Sequence, residues 1–98
     1  MRHLIEVTKQ DIKNGVPCNP WCCPIANAVC RHFKIKNDNS SPVSVASNVR
    51  VKGDVDTYYK LSRAANRFID RFDKGHKVAP FKFYITEINS KFYITEIN

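Results

Sequence analysis

Acidic residues are few in this chain, and so are glycine (three), methionine (one) and tryptophan (one). So little glycine leaves no phosphate-cradling loop of the nucleotide-binding kinds, and no nucleophile elbow or paired-carboxylate signature is present. An enzyme is therefore not expected. No apolar run is long enough to span a bilayer, so a membrane partner is not expected either. The opening MRHLIEVTKQ carries no signal-peptide apolar core, which makes a cytoplasm with reduced thiols the expected compartment. Nine Asp and Glu face sixteen Lys and Arg, for a formal net charge of +7 and a pI of about 9.4. That balance excludes a carboxylate-displaying mimic of DNA. It favours an acidic partner: nucleic acid, an acidic protein face or anionic lipid.

What is present suits one small globular domain. At 98 residues and 43% hydrophobic, the chain can hold a single core, expected over residues 1–90. The stretch Gly15–Phe33, GVPCNPWCCPIANAVCRHF, organises the rest. It holds all four cysteines, the tryptophan and three of the five prolines. Pro24 suits the first turn of a helix, where its missing N–H would be unsatisfied anyway. From there Ile25, Val29 and Phe33 recur at i, i+4, i+8, widened by Ala26 and Cys30, which predicts a helix over Pro24–Phe33 with one apolar stripe.

Upstream, His3, Ile5 and Val7 alternate with Arg2, Leu4 and Glu6 as a first strand. Thr8 and Asp11 form a capping box for a turn or two of helix. Gly15 would end that helix by accepting the left-handed conformation. Downstream, Val43, Val45, Val49 and Val51 share one face of a strand whose other face holds Ser44, Asn48, Arg50 and Lys52. A second run, Val55–Leu61, also carries its apolar set on odd numbers. Paired residues share a face, so a two-residue Gly53-Asp54 turn would set Val51 against Asp56 in the core. A three-residue loop, Lys52–Asp54, pairing Val51 with Val55 and Val49 with Thr57, is expected instead. Ser62 caps a helix over Arg63–Lys74 that buries Ala65, Phe68, Ile69 and Phe72, and Gly75 follows it. Phe81, Phe83 and Ile85 alternate in the last strand. The order β-α-β-β-α-β predicts an α+β fold, a ferredoxin-like sandwich with two helices on one face of a four-stranded antiparallel sheet.

KFYITEIN occurs at 82–89 and again, word for word, at 91–98. It is too short and too similar for a structural repeat family, and points to a local duplication or a cloning scar. Nine residues separate the copies, so a continuous strand would swap its faces at the second. That copy is aromatic and β-prone, and self-association through 91–98 is an expectation.

The candidate sites follow from this frame. If the odd-numbered sets are buried, Arg50, Lys52, Tyr58, Lys60, Lys82 and Tyr84 share the open sheet face. Aromatics interleaved with cations can stack bases and hold phosphates, although no RNP1-like run is present. An ordinary solvated face has the same composition. Arg63, Arg67 and Arg71 make a ridge at i, i+4, i+8 that could meet phosphates or simply face water. Cys18, Cys22, Cys23 and Cys30, spaced C-x3-C-C-x6-C with His32 beyond, raise zinc as a third reading. The spacing lacks the paired knuckles of structural zinc sites, and no other cofactor is implied. Cys23 stands at a helix N-cap, where a thiol pKa can fall. His3, His32 and His76 have no evident partners in the sequence.

Three separated segments resemble a group of small phage and prophage proteins with the pattern V-T-x-x-D-I-x-x-G, then C-P-I/V-A-x-A, then F-D-x-G-x-x-V-x-P-F. Here these are Val7, Thr8, Asp11, Ile12 and Gly15; Cys23, Pro24, Ile25, Ala26 and Ala28; and Phe72, Asp73, Gly75, Val78, Pro80 and Phe81. The resemblance implies no catalytic residues. It implies a phage accessory protein acting in a bacterial cytoplasm by binding and disabling a host protein or ribonucleoprotein complex, in the manner of anti-CRISPR inhibitors. Direct single-stranded nucleic-acid binding by the sheet face is the competing expectation.

Overall fold

A computed structural model describes residues 2–37, 41–53 and 55–88. The second KFYITEIN copy, with its expected self-association, and Asp54 lie outside the described residues. The fold is α+β. Eight elements follow in order: β1 (Arg2–Val7), α1 (Lys9–Asn14), α2 (Pro24–His32), β2 (Val43–Val45), β3 (Asn48–Val51), β4 (Thr57–Lys60), α3 (Arg63–Asp73) and β5 (Phe81–Ile88). The strands form one antiparallel sheet in the order β1-β5-β4-β3-β2.

This differs from the ferredoxin-like expectation in strand number and in order. The run Val43–Val51 is two strands, folded at Ala46-Ser47, with Val43 opposite Val51 and Val45 opposite Val49. Three residues (46–48) separate the partners Val45 and Val49, and a connection of odd length keeps every odd residue on the same face, so the alternation cannot distinguish the hairpin from one long strand. The next connection is odd in length, as parity demands, but runs over five residues. Val51 pairs with Thr57 and Val49 with Tyr59. Val55 therefore lies in the loop, 73% exposed, rather than in the core. The last strand enters between β4 and β1, setting Phe83 against Ile5 and Phe81 against Val7, so the first strand is an edge.

Parity governs the packing. Ile5, Val7, Val43, Val45, Val49, Tyr59, Phe83 and Ile85 are buried and belong to one cluster with Ile25, Ala26 and Val29 of α2 and Ala65 and Phe68 of α3. Phe68 stacks on Phe81 at 4.7 Å between ring centroids, and Phe81 on Phe83 at 5.2 Å. Gly75 follows α3 in the left-handed conformation, φ 80°, as its position predicts.

The Gly15–Phe33 stretch holds both edges of this sheet. At one edge Val45 N–H donates to the Pro20 carbonyl, 2.8 Å. At the other, Arg31 Nη2 donates to the Glu6 carbonyl, 2.6 Å. Both contacts occupy backbone groups that an edge strand would otherwise offer to another chain. Arg31 is itself held by Asp11, which is 5% exposed. That carboxylate also accepts from Thr8 N, 2.8 Å, while Thr8 Oγ1 accepts from Asp11 N, 3.2 Å, completing the expected capping box. Gly15, in contrast, has φ −74° and ψ 148°, not the left-handed conformation. Its requirement is space: a Cβ there would stand 2.6 Å from both Cγ and Cδ of Pro24.

Candidate anion-binding face

The even-numbered residues form the sheet's other face. The registers align Asn48, Lys60, Thr86 and Arg2 in one row across four strands. The adjacent row is Ser44, Arg50, Tyr58 and Ile88. Neighbouring strands are about 4.8 Å apart, so the Arg2 and Lys60 backbones flank Thr86 roughly 10 Å from each other. On the far side of Thr86 from Tyr58's row lies Tyr84, with the Arg2 guanidinium carbon 4.1 Å above its ring centroid. That distance is a cation–π contact.

Beyond this row the chain turns at Leu61 into α3. Ser62 caps the helix, its Oγ accepting from Ala65 N at 3.2 Å. The turn places Arg63 beside the sheet face. Arg2, Lys60, Arg63, Asn66, Tyr84 and Thr86 then line a groove of about 520 Å³, and among the described residues no carboxylate lines it. Arg2, Lys60 and Arg63 are exposed, so their charges act through solvent and any attraction they exert is weakened by salt.

Of the nine cationic and tyrosine positions expected from the sequence, the groove gathers Lys60, Arg63 and Tyr84. Arg50 and Tyr58 face each other in the neighbouring row. Lys52 lies past the end of β3, exposed in the loop. Lys82 sits opposite Glu6, in a separate groove beside Arg31 and His32. The arginine ridge divides: Arg67 and Arg71 turn away from Arg63 to flank a second groove with Lys77, floored by Phe68, Val78 and Phe81. Arg2 was not among the expected residues. Its even number places it on this face, but its neighbours depend on β5 lying beside β1.

The cysteines do not come together as a ligand set. Among the described residues, no group of three or more His, Cys, Asp or Glu side chains is placed to hold a metal ion. All four cysteines are free thiols. Cys18, exposed with φ 58°, is tied to the end of α3, its N–H donating to Asp73 Oδ1 at 2.9 Å. Cys23 is the N-cap of α2, its Sγ accepting from Ala26 N at 3.4 Å. Burial nonetheless pushes its thiol pKa up, outweighing the backbone N–H groups that act the other way. Burial, with a smaller contribution from Cys22, pushes Cys30 up to about 11. Both buried thiols are thus protonated near neutral pH, which is the wrong form for a nucleophile or a metal ligand. Two histidines that looked solitary are in contact: His32 Nε2 lies 3.2 Å from His3 Nδ1.

No helix among the described residues is long and apolar enough to cross a membrane. The chain matches no protein-family model, no curated protein and no solved structure.

Proposed function

We propose that this chain is a non-enzymatic binding protein that sets its even-numbered sheet face against an anionic surface of a nucleic-acid or ribonucleoprotein complex, and so blocks that complex. The groove between Arg2, Lys60 and Arg63, whose described lining holds no carboxylate, carries this reading. Three cations converge there without acidic neighbours in its lining, and the rest of the face adds Arg50 and Lys82. The resemblance to small phage proteins supplies the setting, a bacterial cytoplasm in which the target is a host defence or nucleic-acid complex.

A second reading is direct binding of single-stranded nucleic acid. Tyr58 and Tyr84 stand on the same face as Arg50 and Lys60, the pairing that lets bases stack while phosphates are held. Arg2 covers one side of the Tyr84 ring, which leaves a single side for a base and ranks this reading second.

Fluorescence anisotropy with labelled single-stranded RNA, single-stranded DNA and duplex, across a KCl series, separates the two. Stacking predicts tight single-strand binding that falls about fivefold or more for each of Tyr58→Ala and Tyr84→Ala, since each stacked base is worth about 1–3 kcal/mol. Complex inhibition predicts weak binding to free strands. It also predicts capture of a host complex that survives nuclease treatment and is lost when Arg2, Lys60 and Arg63 are reversed in charge. The absence of both free-strand binding and charge-dependent capture would overturn both readings.

A further inference from the structure

His3 and His32 are far apart in sequence and meet where β1 begins beside the last residue of α2. Their rings are edge-on, with centroids 5.3 Å apart and an interplanar angle of 78°. Each is braced by aromatic neighbours: Phe33 lies 5.0 Å from His3 and 4.8 Å from His32, and Tyr59 lies 5.7 Å from His3. Side chains held by packing lose less freedom when they take a ligand.

We propose that His3 Nδ1 and His32 Nε2 form a two-imidazole site for a divalent transition-metal ion of the zinc class, with water completing the coordination. The nitrogen separation of 3.2 Å is the bite such an ion needs. An ion bonded about 2.05 Å from each nitrogen would span them at an angle of about 100°, near the tetrahedral value zinc adopts. His32 is exposed and His3 half-buried, so solvent reaches the pair and can fill the remaining positions. Imidazole binds metal in its neutral form. Burial, and then the proximity of His3, lower the His32 pKa from its ordinary value, a direction that favours the neutral ring. Among the charged groups beside His32, Arg31 is neutralised by Asp11, and Glu6 and Lys82 oppose each other across β1 and β5. The bound ion would staple the edge strand to the helix that covers it.

A plain N–H···N hydrogen bond between neutral rings has the same separation, so the test must distinguish an ion from a shared proton. Zn²⁺ is titrated into the full chain near neutral pH, followed by calorimetry and by the ring-proton NMR signals of all three histidines. The site predicts one ion per chain, shifts at His3 and His32 with His76 unmoved, and a thermal midpoint raised by roughly 5 °C in excess metal. His3→Gln and His32→Gln should each abolish binding, and Cys18→Ser should leave it intact. Acidifying the solution should release the ion, because protons compete for the same imidazole lone pairs. Stoichiometric binding that survives both glutamine substitutions, or ring signals at His3 and His32 that ignore Zn²⁺, would overturn the site. Because the ring signals are read in the unsubstituted protein, a variant that fails to fold does not blunt the test.

Discussion

Replacing Arg2, Lys60 and Arg63 together by glutamate should weaken binding to the anionic partner on the order of a hundredfold or more at low salt. A unit charge pair about 4 Å apart is worth about 1 kcal/mol in water, and reversal turns three attractions into three repulsions. The salt slope should also change. Each phosphate neutralised on a single strand contributes about −0.7 to the slope of log K against log[salt], so losing three flattens it by about 2. All three residues are exposed, so the fold should be unaffected. The matched control moves the same change in net charge to Lys9 and Lys13 of α1 and Lys34 just past the C-cap of α2, all exposed. It should lose little affinity. Equal losses in both variants would mean that the partner responds to overall charge and not to this groove.

Gly15→Ala should cost about 3 kcal/mol in chemical denaturation, the upper end of the usual price of overpacking. Pro24 is fully buried at the first turn of α2, so its ring has no room to retreat. The added Cβ would press on Cγ, Cδ and the ring nitrogen, at 2.6, 2.6 and 2.9 Å. One side must shift, either the exit from α1 or the start of α2. Pro24→Ala removes two of the three close atoms. In the Gly15→Ala background it should therefore be less damaging than in the parent chain, giving a coupling of about 1 kcal/mol or more in the double-mutant cycle. Additive effects would show that the two positions do not compete for space.

The division of the sheet into a buried odd face and a cationic even face was legible in the sequence. A two-residue period needs no knowledge of which strands are neighbours, so Val49, Tyr59 and Phe83 could be assigned to the core and Arg50, Lys60 and Tyr84 to the surface. The caps were legible too, because Thr8, Asp11 and Ser62 act on backbone groups only three residues away. The hairpin at Ala46-Ser47 was hidden by the same parity that revealed the faces. Strand order was hidden because it depends on β5 entering beside β1 across most of the chain's length. Everything that depends on that entry was hidden with it: the stacking of Arg2 on Tyr84 and the row that joins Arg2 to Lys60. The contact of His3 with His32 depends on how α2 lies along β1, which no local pattern encodes. Gly15 was placed correctly at the end of α1 but for the wrong physical reason. A glycine that makes room and a glycine that adopts positive φ read alike in a sequence.

On the proposed function, the even face, with the groove beside Arg63, is where this protein meets its anionic partner. Backbone amide shifts of the isotope-labelled chain, recorded while single-stranded RNA is added at low salt, test it most directly. The prediction is a contiguous set of shifts at Arg2, Arg50, Lys60, Arg63, Tyr84 and Thr86 that collapses as salt is raised. Shifts confined to α1 and α2, or spread evenly over every exposed lysine and arginine, would contradict it.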